Sequence, residues 1–147
     1  MKHLLIFIGA LLLPFTTTLA QTDVQRSHIE GHVPPAEQAE AMLRRDLAAF
    51  FTMFTGKPVA SLQIVTLRDG PTQSGVAYPK FYFWVQASGP DAVLAEGAVR
   101  VAAIDQVRFE VTNFLPKAKI QQSPGEVAAV FPQPLVSLIL QRAEVKP

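Results

Sequence analysis

Lys80-Phe81-Tyr82-Phe83-Trp84-Val85-Gln86-Ala87-Ser88 alternates without a break. Phe81, Phe83, Val85 and Ala87 fall on one side of an extended chain, and Tyr82, Trp84 and Gln86 on the other. Gly89-Pro90-Asp91 makes a turn, and Ala92 to Ile104 forms a second strand with Val93, Ala95, Val99 and Val101 on one face. Gly97 lies mid-run, where a glycine often marks a bulge. After Asp105-Gln106, residues 107–114 alternate Val107, Phe109 and Val111 against Arg108, Glu110 and Thr112. Upstream, the β-branched run 59–67 closes at the turn cluster Arg68-Asp69-Gly70-Pro71. Short links between successive strands imply an antiparallel meander, because a parallel sheet needs long crossovers.

Helical spacing brackets these strands. Ala39, Leu43, Leu47, Phe50, Phe51 and Phe54 recur at three- and four-residue steps, placing a long helix over about 35 to 55. Pro35 suits its first turn, Glu37 and Glu40 its positive end, Gly56 a left-handed cap, and Pro58 forbids continuation. Arg44, Arg45 and Asp46 are expected on its solvent side. Ser123-Pro124-Gly125-Glu126 fits a capping box before a short helix, and Pro134 opens another with Leu135, Leu138, Ile139 and Arg142 at helical spacing. The expected fold class is α+β: a long N-terminal helix packed on a four-stranded antiparallel meander, with short C-terminal helices. Burying Phe50, Phe54, Phe81, Phe83 and Phe109 together would hold helix and sheet. This outline is similar to the cystatin-like and NTF2-like rolls, in which a helix lies in the concave face of a curved sheet. The similarity is of element order over about 35 to 115 and transfers no residue roles.

The chain has 147 residues, 49% of them hydrophobic, and no Cys. That is room for one ordinary domain, and it excludes disulfides, thiolate metal sites and Cys nucleophiles. Residues 1–20 have the form of a cleaved export signal. Lys2 precedes the apolar run Leu4 to Leu13, Pro14 breaks it, and Thr18-Leu19-Ala20 supplies small residues at a cleavage site. The run is too short to span a bilayer, so no stable membrane insertion is expected after cleavage. Lys2 is one of 13 basic residues, and losing it leaves 12 against 12 acidic. A neutral chain does not suit nucleic acid. An exported chain without disulfides suits a periplasm, or secretion from a bacterium. The polar stretch 21–34 reads as a flexible lead-in, and 35–147 as a single α+β domain.

Two segments could hold chemistry. His28-Ile29-Glu30-Gly31-His32 would place two imidazoles and a carboxylate on one side of an extended chain, a ligand set suited to Zn²⁺ or Cu²⁺. The plainer reading is a solvated tail, and no metal or other cofactor is expected. These two are the only His residues after His3, so a Ser-His-Asp triad has no base outside that tail. The link 68–80 is long for a meander. It carries Thr72, Gln73 and Ser74, and runs into Tyr78, Lys80, Tyr82 and Trp84, which include every Tyr and Trp of the chain. A polar loop beside an aromatic platform suits a protein or envelope component. The bland alternative packs those rings on the outer sheet face under the last helices.

The function expected is therefore an exported, non-enzymatic binding or accessory domain, using Thr72, Gln73, Ser74, Tyr78, Lys80, Tyr82 and Trp84 on a protein or envelope ligand. The alternative is a small-molecule pocket, or an enzyme of rolled-sheet type, between the Phe-rich helix and the sheet. In that case Asp or Arg residues at the mouth supply the polar contacts.

Overall fold

A computed structural model describes residues 26–146. The expected export signal and residues 21–25 of the lead-in lie outside the described residues. Residues 26–32 form a short helix, α1. Then follow α2 (Ala36–Thr55), β1 (Ser61–Thr66), β2 (Lys80–Ser88), β3 (Val93–Ile104), β4 (Arg108–Pro116), α3 (Lys117–Gln122), α4 (Glu126–Val130) and α5 (Gln133–Arg142). The four strands pair antiparallel in the order β1-β2-β3-β4, the meander that their short links require.

The alternation in β2 sorts the side chains into two cores. Phe83, Val85 and Ala87, with Val99, Val101, Ala103 and Phe109, meet Leu43, Leu47 and Phe51 of α2 on the inner face. Tyr82, Trp84, Ala98 and Leu115 meet Ile120, Val127, Phe131, Leu135 and Ile139 of the C-terminal helices on the outer face. The sheet is thus a middle layer, apolar on both sides, which is why the middle of β2, from Tyr82 to Val85, is buried on both faces and its partly exposed polar residues Lys80, Gln86 and Ser88 lie toward the ends.

Irregularities re-phase the strands. Arg100 pairs with Asn113 but Val101 with Val111, so Thr112 is an extra residue in β4. That bulge lets Phe114 follow Phe109 and Val111 into the inner core, while Leu115 turns to the outer one. Gly97, where the sequence places a bulge, sits instead in regular pairing between Val85 and Pro116. Its lack of a side chain serves a close approach, since an added Cβ would lie 2.1 Å from the Leu115 carbonyl oxygen.

α2 ends as expected at Gly56, which takes φ +66°. Its apolar stripe is centred differently: Phe51 is fully buried, whereas Phe54 is 56% exposed and stacks on Phe50 against Phe114. Asp46 is not a solvated residue either, because the Phe109 backbone N–H donates to its Oδ2 at 2.7 Å. Arg45 bonds the same carboxylate, and this partner raises the Arg45 pKa. Ser123 forms no side-chain cap on α4. Its backbone N–H instead donates to the Lys119 carbonyl, and Glu126 pairs with Lys119 at 2.9 Å. α3 has no counterpart in the sequence reading, since six residues with one buried apolar side chain, Ile120, show no period.

Candidate functional site

The outer aromatic platform is absent as a surface. Tyr82 and Trp84 are 4% and 5% exposed, covered by α3–α5. The Tyr82 hydroxyl is 2.6 Å from the Thr72 hydroxyl, and the Trp84 Nε1–H donates to Glu96. Both polar tips are therefore spent inside the protein, as buried Tyr and Trp require. The expectation that these rings contact a partner is corrected: the C-terminal helices, rich in small and aliphatic residues, compete for the same apolar face and win.

The 68–80 link is held by its own bonds. Thr72 and Lys80 pair as an isolated bridge, with both backbone bonds made at 2.8 and 2.9 Å. Gln73 Nε2 donates to the Gly75 and Ala77 carbonyls, and Lys80 Nζ to the Tyr78 carbonyl. Burial first, and then the like charge of Arg100, lower the Lys80 pKa from its ordinary value. Thr72, Gln73 and Lys80 thus act as ties, while Ser74 through Tyr78 form an exposed tip in which Val76 is 93% exposed.

The His segment is helical, and its geometry differs from the extended one expected. One helical turn separates His28 from His32, whose rings meet edge-on at 4.6 Å, while Glu30 falls elsewhere on the helix. His28 Nε2 lies 3.1 Å from the Ala77 carbonyl, and His32 Nδ1 lies 2.9 Å from Asp105 Oδ1. The Gln106 backbone N–H donates to the His32 carbonyl, and its side chain to the Glu30 carbonyl. α1 is therefore fastened to the β3–β4 turn and is not a loose lead-in. That turn needs the help: Asp105 and Gln106 both hold positive φ, at a cost of about 1 kcal/mol each. Among the described residues, no group of three or more His, Cys, Asp or Glu side chains could hold a metal ion.

The concave feature lies on the inner face. α2 rests mainly on β4, with Phe51 against Phe114 and Asp46 on Phe109, so the inner surface of β1 and β2 is incompletely covered. The result is a half-open cleft of about 490 Å³. Ile64, Phe81, Phe83 and Phe109 line it from the sheet, Ala39 and Leu43 from α2, and Val33-Pro34 from the α1–α2 link. Arg44, Glu40, Arg68 and Asp69 stand among the remaining lining residues. Apolar walls with a few polar groups, within the size range of small-molecule sites, are what a binding cleft requires.

The sequence held this site only in part. Phe81 and Phe83 were visible as inner-face residues, but the offset of α2 toward β4 depends on the Phe51–Phe114 and Asp46–Phe109 contacts, between residues 63 apart in the chain. No family model, curated protein or solved structure matches the chain.

Proposed function

We propose that this chain is an exported, non-enzymatic binding domain that takes an apolar small molecule in the cleft between α2 and the β1–β2 surface. The single observation that supports this reading is the cleft itself. Its volume of about 490 Å³ is walled by Phe81, Phe83, Phe109, Leu43 and Ile64; of these the partly buried Phe81 and Ile64 would lose most water on binding, while Leu43, Phe83 and Phe109 form an already buried floor. The inner-face cavity is the feature that the cystatin-like or NTF2-like outline would provide. Export rests on the sequence of residues 1–20 and is part of the proposal.

Ala39→Trp tests it. Ala39 lines the cleft on a partly exposed turn of α2, so an indole there can occupy the cleft without displacing a core side chain. The parent is expected to bind a neutral fluorescent apolar probe, and the folded variant to lose at least tenfold in affinity. Equal binding by both proteins would sink the reading.

A second reading keeps the expected partner site but moves it to the tip of the 68–80 link. The observation favouring it is Val76, 93% exposed beside Tyr78 at 40%. Exposed apolar groups on a tied loop suit a protein or envelope contact. Val76→Asp should leave stability within about 0.5 kcal/mol yet abolish capture of an envelope component by the chain. Capture undiminished by this variant would dismiss the loop.

A further inference from the structure

Two of the polar residues lining the cleft are arginines with bonding capacity left over. Arg44 uses Nε on Glu40 at 3.0 Å and Nη1 on the Leu62 carbonyl at 3.1 Å. Arg68 uses only Nη1, which donates to the carbonyls of Asp69, Gly70 and Pro71 at 3.1, 2.9 and 2.9 Å. Nη2 of both residues, and Nε of Arg68, have no partner among the described residues. The two N–H groups of Nη1 are shared among three carbonyls, which draws the exposed Arg68 guanidinium back over its own 69–71 loop and leaves Nε and Nη2 facing outward from that contact.

The acidic lining residues differ in what they are free to do. Glu40 is occupied by Arg44, and Asp69 makes no ion pair among the described residues. The four charged residues sum to zero, so any preference for charge comes from these unused N–H donors rather than from net potential. Such donors are best satisfied by an acceptor-only, planar anion, which accepts two parallel bonds from one guanidinium.

Volume restricts the rest of the molecule. At a liquid-like ~30 Å³ per heavy atom, a cleft of about 490 Å³ holds on the order of sixteen heavy atoms. That matches one medium-length chain with its head group, and a longer molecule would extend out through the open side. We propose that the ligand is a single-chain carboxylate, its chain lying along Ile64, Phe81 and Phe83 and its head group on Nε and Nη2 of Arg68, while Arg44 is held at the far end of β1 by the Leu62 carbonyl. This rests on the cleft reading above and specifies its ligand class.

The test titrates the full chain with decanoate, 1-decanol, decyl phosphate and decyltrimethylammonium by calorimetry. Decanoate is expected to bind about tenfold or more tighter than decanol, as bonds to a charged group are stronger than neutral ones, with the cation weakest. Each methylene added to the carboxylate should gain two- to fourfold until the cleft is full. Arg68→Gln should bring decanoate down to the decanol level and leave decanol unchanged. Asp69→Asn should tighten decanoate a few-fold. Added salt should narrow the gap between carboxylate and alcohol. Equal binding of decanoate and decanol would overturn the carboxylate assignment while leaving the cleft reading intact, and no binding by any of the four would overturn both. Tighter binding of decyl phosphate than of decanoate would also overturn it, in favour of a phosphate head. If Arg68→Gln disturbs its loop and weakens decanol too, Arg68→Lys provides the second comparison, since it keeps the charge and removes the paired N–H donors. A carboxylate preference undiminished in Arg68→Lys would count against the guanidinium site.

Discussion

Gly97→Ala is expected to cost the fold about 3 kcal/mol or more, at the upper end of single substitutions. An ideal Cβ at this position lies 2.1 Å from the Leu115 carbonyl oxygen, 2.9 Å from its carbonyl carbon and 2.9 Å from Phe114 Cε2. Two of these three atoms are backbone, so no rotamer change clears them. Relief requires β4 to move off β3, and Phe114 and Leu115 anchor β4 in opposite cores. One small substitution therefore strains both faces of the sheet. Against a total stability of about 5 to 15 kcal/mol, urea unfolding followed by circular dichroism should show a much lower midpoint or no folded baseline. Gly125→Ala is the control: nothing lies within 4 Å of its Cβ, and the backbone φ of −64° suits any residue. Its midpoint should hardly move. Matching losses in the two variants would mean that the β3–β4 approach is not as close as described.

Trp84→Ala should cost about 3 to 5 kcal/mol, through the sheet's other face. The ring is 5% exposed within the core made with α3–α5, and its Nε1–H donates to Glu96 at 3.1 Å. Truncation opens a cavity where sheet and C-terminal helices meet and frees Glu96, whose remaining partner, Lys117, lies 4.0 Å away. Trp84→Phe keeps most of the packing and should lose roughly half as much or less. Because Trp84 is the only Trp, unfolding is best followed by far-UV circular dichroism. A stable, fully helical Trp84→Ala protein would return this ring to the surface and revive the aromatic platform.

The strands were legible because period-2 alternation is a local property. β2 matches its sequence-derived bounds at Lys80 and Ser88, and α2 starts one residue inside them. What covers the outer face was not legible. Tyr82 and Trp84 have the same alternation whether they meet water, a partner or α3–α5, and only the small helices' tertiary contacts decide between these. Two residues of the β3–β4 turn hid for a different reason. Asp105 and Gln106 take positive φ without a glycine, and what supports them is α1, fastened by Gln106 and His32. A contact between positions more than seventy residues apart leaves no pattern in the chain. The site shows the same divide: its phenylalanines follow from alternation, while the space before them follows from where α2 comes to rest.

An apolar ligand entering between α2 and the β1–β2 surface would be seen by titrating the protein with 1-decanol and following assigned side-chain methyl and aromatic resonances by NMR. Saturable shifts are expected at Leu43, Ile64, Phe81 and Phe83, with Ile120, Val127 and Ile139 on the far side of the sheet unmoved. Shifts confined to those outer-face residues or to the 74–78 tip, or none at any residue, would contradict entry at that surface.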